Sequence, residues 1–321
     1  MDRPPVQIGP FLRRPYPSNL VLDLHSYCNA RCLVCPHPEL SPRLPRGRMD
    51  PELFRRIIGE FGEIARTRPI RGHVVLSNFS EPFLDPDIFS KISFILAQGL
   101  HLILQTNAAA LFPRRVDRLL ATGFRGKIFI SCHGLTPEVY RKVMGLEARR
   151  TLANIDYLIS RYPKELLQIR AIPFEWPLGE VLRVKRRWRE RGVPVKIFAP
   201  NARTGLVGRC LSWRWKYPGE KLKGCKKTLP LRDLVVAFDG EALLCCEDMG
   251  RGAVLGSLRE QSLLELWNSP AALKIVRRVF ALEPSPPDFP CKRCEFGVST
   301  LPRKVIRALG HELTRLRTCF L

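Results

Sequence analysis

Short apolar segments alternate with amphipathic segments along the first two thirds of the chain, and this alternation constrains the fold more than any other feature. The apolar runs predict six strands, at Asn19–Leu24, His73–Ser77, Leu100–Gln105, Lys127–Ser131, Leu167–Ile172 and Val193–Phe198. The amphipathic segments predict helices at Pro51–Ala65, Pro86–Ala97, Pro113–Ala121, Leu152–Arg161 and Leu178–Arg191. Alternating strands and helices form a parallel sheet with right-handed crossovers. We therefore expect an α/β fold, and six βα units predict a partial (β/α)6 TIM-like barrel rather than a complete barrel of eight.

A different pattern begins after about residue 200. Two apolar runs, Leu234–Phe238 and Glu241–Leu244, flank the dipeptide Asp239-Gly240, which is a strong signal for a β-hairpin. A helix is predicted over Ser262–Phe280, and a proline-rich loop follows it. We therefore divide the chain into an N-terminal extension, a barrel, a small hairpin-plus-helix domain and a basic C-terminal helix, with bounds 1–18, 19–200, 201–300 and 301–321.

Charge and hydropathy limit the classes of function. The chain carries 53 Lys and Arg against 30 Asp and Glu, which gives a net charge of +23. This excess favours anionic substrates or partners, although an arginine-rich genome would also produce it. No segment approaches the roughly 20 apolar residues of a membrane span, and the N-terminus lacks the apolar core of a signal peptide. We therefore expect a cytoplasmic protein with no integral membrane segment.

Three cysteines lie in one short loop directly after the first predicted strand. Cys28, Cys32 and Cys35 are separated by three and then two residues. Thiolates at this spacing bind a soft metal centre. Structural zinc sites close with four ligands, whereas a cluster held by three thiolates leaves one iron open. On spacing alone, a zinc site completed by a histidine such as His25 or His37 is the alternative.

A second group of cysteines lies in the C-terminal third of the chain. Cys225 precedes the predicted hairpin, Cys245 and Cys246 end it, and Cys291 and Cys294 follow the proline-rich loop. In a cytoplasmic protein such cysteines are more often metal ligands than disulfides. Spacing alone allows either zinc or an iron–sulfur cluster. Adjacent residues on a strand point to opposite faces, so only one of Cys245 and Cys246 is expected to bind the metal.

The first motif, C-x3-C-x2-C after a first strand, resembles the signature of the radical S-adenosylmethionine (radical SAM) superfamily. The ends of the next three strands are also similar to those of the family, and they read Asn78-Phe79-Ser80-Glu81-Pro82, Thr106-Asn107 and Ser131-Cys132-His133-Gly134. The resemblance covers residues 19 to about 200. We therefore set the zinc alternative aside for this loop.

The resemblance implies that Cys28, Cys32 and Cys35 hold a 4Fe–4S cluster whose fourth iron is chelated by SAM. An electron donor of the flavodoxin or ferredoxin type is the implied partner that reduces this cluster. SAM is then cleaved to methionine and a 5′-deoxyadenosyl radical, which abstracts a hydrogen atom from the substrate.

The same resemblance implies a set of SAM-binding residues at the strand ends. Glu81 is suited to accept a hydrogen bond from the SAM ammonium, and three other polar residues are suited to contact the rest of SAM. Arg149, or its neighbour Arg150, is the expected cation for the SAM carboxylate. The complete expected set is Ser80, Glu81, Asn107, Ser131 and Arg149.

Two residues depart from the family pattern. Val34 stands where an aromatic residue often packs on adenine, so adenine needs another apolar surface. His133 replaces the usual Asp, and either a contact to substrate or a structural role would explain it.

The second cysteine group, C-x(9–15)-G-x4-C followed by C-x2-C, resembles the SPASM/Twitch extension of radical SAM enzymes. The segments Val254–Leu258 and Ser262–Ser269 are similar to segments of that extension. The resemblance implies an auxiliary 4Fe–4S cluster bound by Cys225, Cys245, Cys291 and Cys294, with Cys246 as the alternative to Cys245. A full SPASM domain needs seven cysteines for two clusters, so this chain is expected to carry the shorter Twitch form with one.

These features together predict a radical SAM enzyme that oxidises its substrate with help from the auxiliary cluster. The substrate is expected to be a peptide, or else a sugar, aminocyclitol or nucleotide. About 18 residues precede the first strand, and this is expected to be too few for a domain that binds a peptide leader.

Two other functions stay open on the sequence. A radical epimerase would need a cysteine that returns a hydrogen atom to the substrate, and Cys132 and Cys210 are the candidates. A role as a small buried apolar residue fits each of them better. The alternative from another class is a non-catalytic metal-binding module for nucleic acid. Scattered aromatic residues and no ribonucleoprotein-like motif argue against it.

Overall fold

The structure is a computed structural model that describes residues 4–177, 179–201, 203–207 and 222–299. The predicted C-terminal helix lies outside these residues, as does Cys210. Within them, no helix has both the length and the apolar character that crossing a membrane requires.

The parallel strands of the barrel follow a short N-terminal hairpin that the sequence did not predict. The hairpin consists of β1 (Val6–Ile8) and β2 (Phe11–Arg13). The six parallel strands are β3 (Asn19–Leu22), β4 (His73–Leu76), β5 (His101–Thr106), β6 (Lys127–Ser131), β7 (Leu167–Ala171) and β8 (Val195–Ile197). Their order in the sheet is their order in the chain. The predicted α/β fold with six parallel strands is therefore confirmed.

Helices connect the parallel strands. They are α1 (His37–Leu40), α2 (Pro51–Thr67), α3 (Ile88–Ala97), α4 (Pro113–Ala121), α5 (Pro137–Met144), α6 (Ala148–Arg161) and α7 (Glu180–Glu190). The sequence analysis missed α1 and α5. Several helices begin with Pro in the first turn behind a capping side chain, as in α2, where Asp50 accepts hydrogen bonds from two main-chain N–H groups.

The strand residues alternate between two environments. On one face, residues such as Leu20, Leu76 and Ile130 are fully buried in the core shared with the helices. On the opposite face, which we call the inner face, residues such as Gln105 and Arg170 are only half-buried. Parallel barrels carry their chemistry where this face meets the carboxyl ends of the strands.

The C-terminal hairpin extends the same sheet. It consists of β10 (Asp233–Val236) and β11 (Glu241–Leu243), and β12 (Val254–Ser257) pairs with β11. β10 pairs with β3 in parallel, so the sheet has nine strands and crosses the boundary predicted at residue 200. A separate two-stranded sheet joins β9 (Leu222–Cys225) to β13 (Gly297–Ser299).

The single helix predicted over Ser262–Phe280 is wrong, because the chain forms two helices there. These are α8 (Leu263–Trp267) and α9 (Pro270–Val279). A capping box at Ser262 begins α8, and Ser269 caps α9 with Pro270 in its first turn. Pro270 has no main-chain N–H that could continue α8, so the first helix ends before this residue and a second one begins at it.

Candidate functional site

The three cysteines of the first motif lie on a loop that leaves the carboxyl end of β3. The main-chain N–H groups of Arg31 and Leu33 donate to carbonyl oxygens in the last turn of α5, at 2.8 and 2.9 Å. Within the motif, the N–H of Cys35 donates to the carbonyl of Cys32 at 3.1 Å. These bonds fix the loop at the edge of the sheet where the strand ends meet.

Cys28, Cys32 and Cys35 carry free thiols that interact electrostatically. Burial is the main reason that the pKa of the Cys28 thiol is raised to about 12, and the negative charges of Glu81 and Cys35 add to this effect. Buried thiols that raise one another's pKa stay protonated on their own. They release their protons when a metal cation binds them as thiolates. Among the described residues, no three His, Cys, Asp or Glu side chains are arranged to hold a single metal ion. Three converging thiols fit a cluster with one open iron.

The two histidines of the zinc alternative are engaged with the main chain. His25 Nδ1 accepts a hydrogen bond from the N–H of Tyr27 at 3.0 Å. His37 Nε2 lies 3.0 Å from the carbonyl oxygen of Ser26. Both imidazoles therefore help to shape the loop.

Glu81 lies beside this loop and is only 2% exposed. Its Oε1 accepts from the hydroxyl of Thr106 at 2.6 Å, and its Oε2 accepts from the N–H of Asn107 at 2.8 Å. Burial raises the pKa of Glu81 to about 7, although these hydrogen bonds lower it. The carboxylate is thus held between the ends of β4 and β5, close enough to Cys28 for their charges to interact.

Asn107 joins Glu81 to the cysteine loop. Its Nδ2 donates to Asn29 Oδ1 at 2.8 Å and lies 4.0 Å from the sulfur of Cys28. Its Oδ1 accepts from the N–H of Ala109 at 2.9 Å, which fixes the orientation of the amide. The structure therefore brings together Cys28, Glu81 and Asn107, three residues that lie far apart in the sequence.

Ser80 is held by Asp23, a residue that the sequence analysis missed. Asp23 Oδ1 accepts from the Ser80 hydroxyl at 2.9 Å and from the N–H groups of Asn78, Phe79 and Ser80 at 3.0, 2.9 and 3.2 Å. Burial raises the pKa of Asp23, and these donors lower it. Asp23 fixes the loop that carries Glu81, and its signal in the sequence was an acid inside the apolar run that begins the barrel.

Ser131 and Arg149 occupy different environments. Ser131 ends β6 and is half-buried on the inner face. Arg149 is exposed in the first turn of α6, where its main-chain N–H donates to Glu147 at 2.7 Å. Its role toward the SAM carboxylate therefore stays a prediction.

The residues that depart from the family pattern have clear packing roles. Val34 packs in a small apolar cluster with Val207, Ile172 and Phe174, which supplies apolar surface of the kind that an adenine ring needs. His133 is buried, its Nδ1 accepts from the N–H of Ile172 at 3.2 Å, and burial lowers its pKa to about 4. A neutral, hydrogen-bonded histidine of this kind supports the structural explanation for His133.

Cys132, a predicted hydrogen-atom donor, is fully buried in the core that the strands share with the helices. Its sulfur lies 3.3 Å from the carbonyl oxygen of Gly134. The structure does not bring it to the inner face with Ser131. The other predicted donor, Cys210, lies outside the described residues.

The C-terminal cysteines form a second group. Cys225 ends β9 opposite Gly297 of β13, and Cys291 and Cys294 lie in and directly after a 3-10 helix that packs on these strands. The N–H of Cys294 donates to the carbonyl of Cys291 at 3.4 Å. Burial raises the pKa of Cys291, and the charges of Cys294 and Cys225 contribute.

Cys245 and Cys246 differ in their neighbours. Burial raises the pKa of Cys245, and charges at Cys246, Cys291 and Cys294 add to it. Burial also raises the pKa of Cys246 to about 11, but the main charges that act on it belong to Glu247, Arg203, Asp233 and Lys227 and not to the other cysteines. Cys245 therefore shares its environment with the other cysteines, which supports its choice as the fourth ligand.

Arg203 links the two cysteine groups and was also missed by the sequence analysis. Its Nη1 lies 2.8 Å from Glu247 Oε2 in a largely buried ion pair. Burial would lower the pKa of Arg203, but charges at Glu247, Cys246 and Cys35 raise it. The Arg203 guanidinium thus interacts electrostatically with one thiol of each group, Cys35 and Cys246.

Two family models match the chain. The model of the radical SAM superfamily matches residues 23–175, which include the first cysteine loop and the strand ends described above. The model of an iron–sulfur cluster-binding domain, SPASM, matches residues 225–295, which include all five cysteines of the second group.

Solved structures share this fold. BtrN in complex with AdoMet and 2-DOIA has a TM-score of 0.59 at 18% identity, over 87% of this chain and 92% of that one. Streptococcus suis SuiB bound to precursor peptide SuiA has a TM-score of 0.65 at 16% identity, over 82% of this chain and 67% of that one. At these identities the similarity concerns the fold.

Two relatives are similar over a shorter stretch. An AdoMet-dependent heme synthase of Methanosarcina barkeri is 29% identical over 144 residues, which are 44% of this chain. A probable GTP 3′,8-cyclase of Thermococcus kodakarensis is 30% identical over 130 residues, or 40% of this chain. The alignment spans 39% of each relative. Because both models coincide with the two cysteine groups, the chain belongs to the radical SAM superfamily, carries a C-terminal SPASM/Twitch-type domain, and uses SAM and 4Fe–4S clusters as its cofactors.

Proposed function

We propose that this protein cleaves SAM reductively and oxidises an anionic substrate, with the auxiliary cluster as an electron acceptor. The observation that carries the proposal is the convergence of Cys28, Cys32 and Cys35 with Glu81 at the carboxyl ends of parallel strands. When bound there, SAM and the reduced cluster supply a 5′-deoxyadenosyl radical that removes one hydrogen atom from the substrate.

The chain's own residues bind and orient SAM. Glu81 accepts a hydrogen bond from the SAM amino group, and its ties to Thr106 and Asn107 fix where that acceptor stands. Ser131 and the amide of Asn107 contact other polar parts of SAM. Asp23 holds the loop before Glu81 in place.

Four thiols in the second group, two of them buried and two half-buried, support the oxidative outcome. Cys225, Cys245, Cys291 and Cys294 would supply a thiolate to each iron of the auxiliary cluster, leaving no open iron for SAM. Such a closed cluster supplies a site for one electron. A substrate that loses a hydrogen atom, then that electron and one proton, is oxidised by two electrons overall.

Two substrate classes are proposed. BtrN was solved with 2-DOIA and SuiB with a precursor peptide, which supports either a small cyclic molecule or a peptide for this chain. A flavodoxin- or ferredoxin-type protein is the proposed electron donor. An epimerase is the second candidate, with Cys210 as hydrogen donor, since Cys132 is buried away from the inner face.

Anaerobic reconstitution tests the proposal. The parent protein should hold about eight irons and eight sulfides, as two cubane clusters require. Replacing Cys28, Cys32 and Cys35 together by Ala should leave about four irons and abolish dithionite-dependent formation of 5′-deoxyadenosine.

The matched control removes the other cluster. Cys225→Ala with Cys291→Ala should also leave about four irons, but 5′-deoxyadenosine should still form. Formation of 5′-deoxyadenosine by the first variant would show that the three cysteines do not hold the SAM cluster.

A further inference from the structure

Two cations stand side by side on the inner face, next to Ser131. In the parallel register, Arg170 of β7 lies between Ser131 of β6 and Lys196 of β8. Residues paired in register point to the same face of a sheet. Both cations also flank one aromatic ring, since Arg170 Cζ lies 5.7 Å and Lys196 Nζ lies 5.0 Å from the centre of the Phe198 ring.

Neutral side chains hold the Arg170 guanidinium in place. Its Nε donates to Gln168 Oε1 at 3.2 Å, and its Nη1 donates to Gln105 Oε1 at 2.9 Å. Its Cζ lies 3.4 Å above the ring of Phe129, and Gln105 is fixed in turn by the carbonyl of Ser77 at 3.0 Å. The guanidinium is therefore preorganised on the inner face before any ligand binds.

No acid balances these charges. Within the described part of the chain, Arg170 and Lys196 have no carboxylate within 4.0 Å. Other partly buried arginines do, since Arg187, Arg203 and Arg251 each lie 2.8 Å or less from a carboxylate oxygen. Burial lowers the pKa of Arg170 to about 10, so the group stays charged at neutral pH.

Arg13 shows what a purely structural buried arginine looks like in this protein. Its side chain is 0% exposed, its Nη1 donates to the carbonyl of Trp267 at 2.9 Å, and its Cζ lies 3.6 Å from the Trp267 ring. Arg170 differs because it is only half-buried and has a second cation beside it. A preorganised guanidinium with a neighbouring ammonium and no acid is an anion-binding arrangement.

We propose that Arg170 and Lys196 bind an oxyanion of the substrate, a carboxylate or a phosphate, beside the SAM site. The proposal rests on the proposed function, because that function places SAM at Ser131. The Arg170 nitrogens that are not used by Gln105 and Gln168 face the oxyanion, and Lys196 adds a second charge. This makes Arg170 a specificity-determining residue for a substrate that carries such a group.

The experiment uses the protein with both clusters, prepared anaerobically and saturated with SAM. Inorganic phosphate and acetate are titrated separately, and line broadening of their 31P and 13C resonances reports binding. At least one probe should bind saturably in the millimolar range, and Arg170→Gln should weaken that binding tenfold or more. Arg114→Gln removes an exposed arginine from α4 and should leave probe binding unchanged.

A second variant, Lys196→Gln, and a measurement of SAM affinity in each variant complete the test. Lys196 is exposed, so its replacement leaves the fold intact even if Arg170→Gln does not fold, and probe binding should weaken about threefold. Unchanged probe binding in the variants, or no saturable binding by the parent protein, overturns the proposal. A fall in SAM affinity that matches the fall in probe affinity also overturns it, because the guanidinium would then serve the SAM carboxylate.

Formation of 5′-deoxyadenosine is measured on the same samples without probes. Its absence counts against the proposed function, whereas the probe titrations alone decide the oxyanion site. The two failures are therefore distinguishable.

Discussion

Asp23 directly follows β3 and holds the loop that carries Glu81, so its replacement leads to a quantitative prediction. Four donors from Asn78, Phe79 and Ser80 converge on its Oδ1. The four donors share one oxygen atom, so we count only about 1 kcal/mol net for each hydrogen bond, and together they stabilise the loop by about 4 kcal/mol. Asp23→Ala removes all four, so the loop should open roughly a thousandfold more often.

Asp23→Asn divides this effect into two parts. An amide oxygen in the place of Oδ1 keeps the acceptor and loses the charge. Hydrogen bonds to a charged group are about twice as strong as neutral ones, so about half of the stabilisation should be lost. Loop opening should then increase about thirtyfold, since every 1.4 kcal/mol corresponds to about tenfold.

Hydrogen exchange measured by mass spectrometry is the assay, and it reads the main-chain amides of residues 78–80. Exchange at these amides should be faster in Asp23→Asn than in the parent protein, and faster still in Asp23→Ala. The iron content should stay normal because no cysteine is changed. SAM should bind more weakly, since the same loop positions Glu81. Asp248→Ala is the matched control, because Asp248 also accepts two main-chain N–H bonds, from Gly252 and Ala253 at 2.9 and 2.8 Å.

The control should accelerate exchange at residues 252–253 and leave residues 78–80 as they are. Unchanged exchange at residues 78–80 in Asp23→Ala would refute the reasoning, because the loop would then be held by other contacts. Equal acceleration by Asp248→Ala would refute it too, since the effect would be global rather than local.

Three further predictions concern the two cluster sites. Glu81→Gln should weaken SAM binding about tenfold in calorimetry with normal iron content, because the charge-assisted bond is lost; unchanged affinity would remove Glu81 from the site. Cys245→Ala should lower the iron content from about eight to about four per chain, whereas Cys246→Ala should leave it unchanged, and the reverse result would exchange their roles. Cys291→Ala should still form 5′-deoxyadenosine but stop product formation. In deuterated water, mass spectrometry of the parent protein's product should show a loss of two hydrogen atoms; solvent deuterium at an inverted carbon would instead show epimerisation.

Local sequence patterns were enough to predict the barrel half of the site. Apolar runs predicted each parallel strand, for instance His73–Ser77 against the observed His73–Leu76. Parallel strands deliver their carboxyl ends to one edge, so residues that follow them, such as Glu81 and Asn107, meet there. The position of these residues directly after a strand was therefore sufficient to predict that they lie close together.

Contacts that depend on distant parts of the chain were beyond such reasoning. Asp23 accepts hydrogen bonds from a loop that lies 55 to 57 residues further on. The local sequence pattern around Asp23 does not indicate this partner. Asn19 bonds to Asp233 across 214 residues, where β10 joins the sheet beside β3. The sequence predicted the hairpin at β10, but the strand that it would pair with was decided by tertiary packing.

The pairing of β10 with β3 has a consequence for the proposed chemistry. β10 runs parallel to β3, and β11 returns in the opposite direction, so Cys245 and Cys246 follow β11 to the end of the sheet opposite Cys28. The charge interaction between Cys246 and Asp233, the first residue of β10, agrees with this placement. The four residues of β3 span three rises of about 3.3 Å, so the two ends of the strand lie roughly 10 Å apart, with the inner face between them. A substrate held there by Arg170 would lie between the group that removes its hydrogen atom and the cluster that accepts its electron. This placement agrees with the proposed oxidation, in which the auxiliary cluster accepts one electron from the substrate radical.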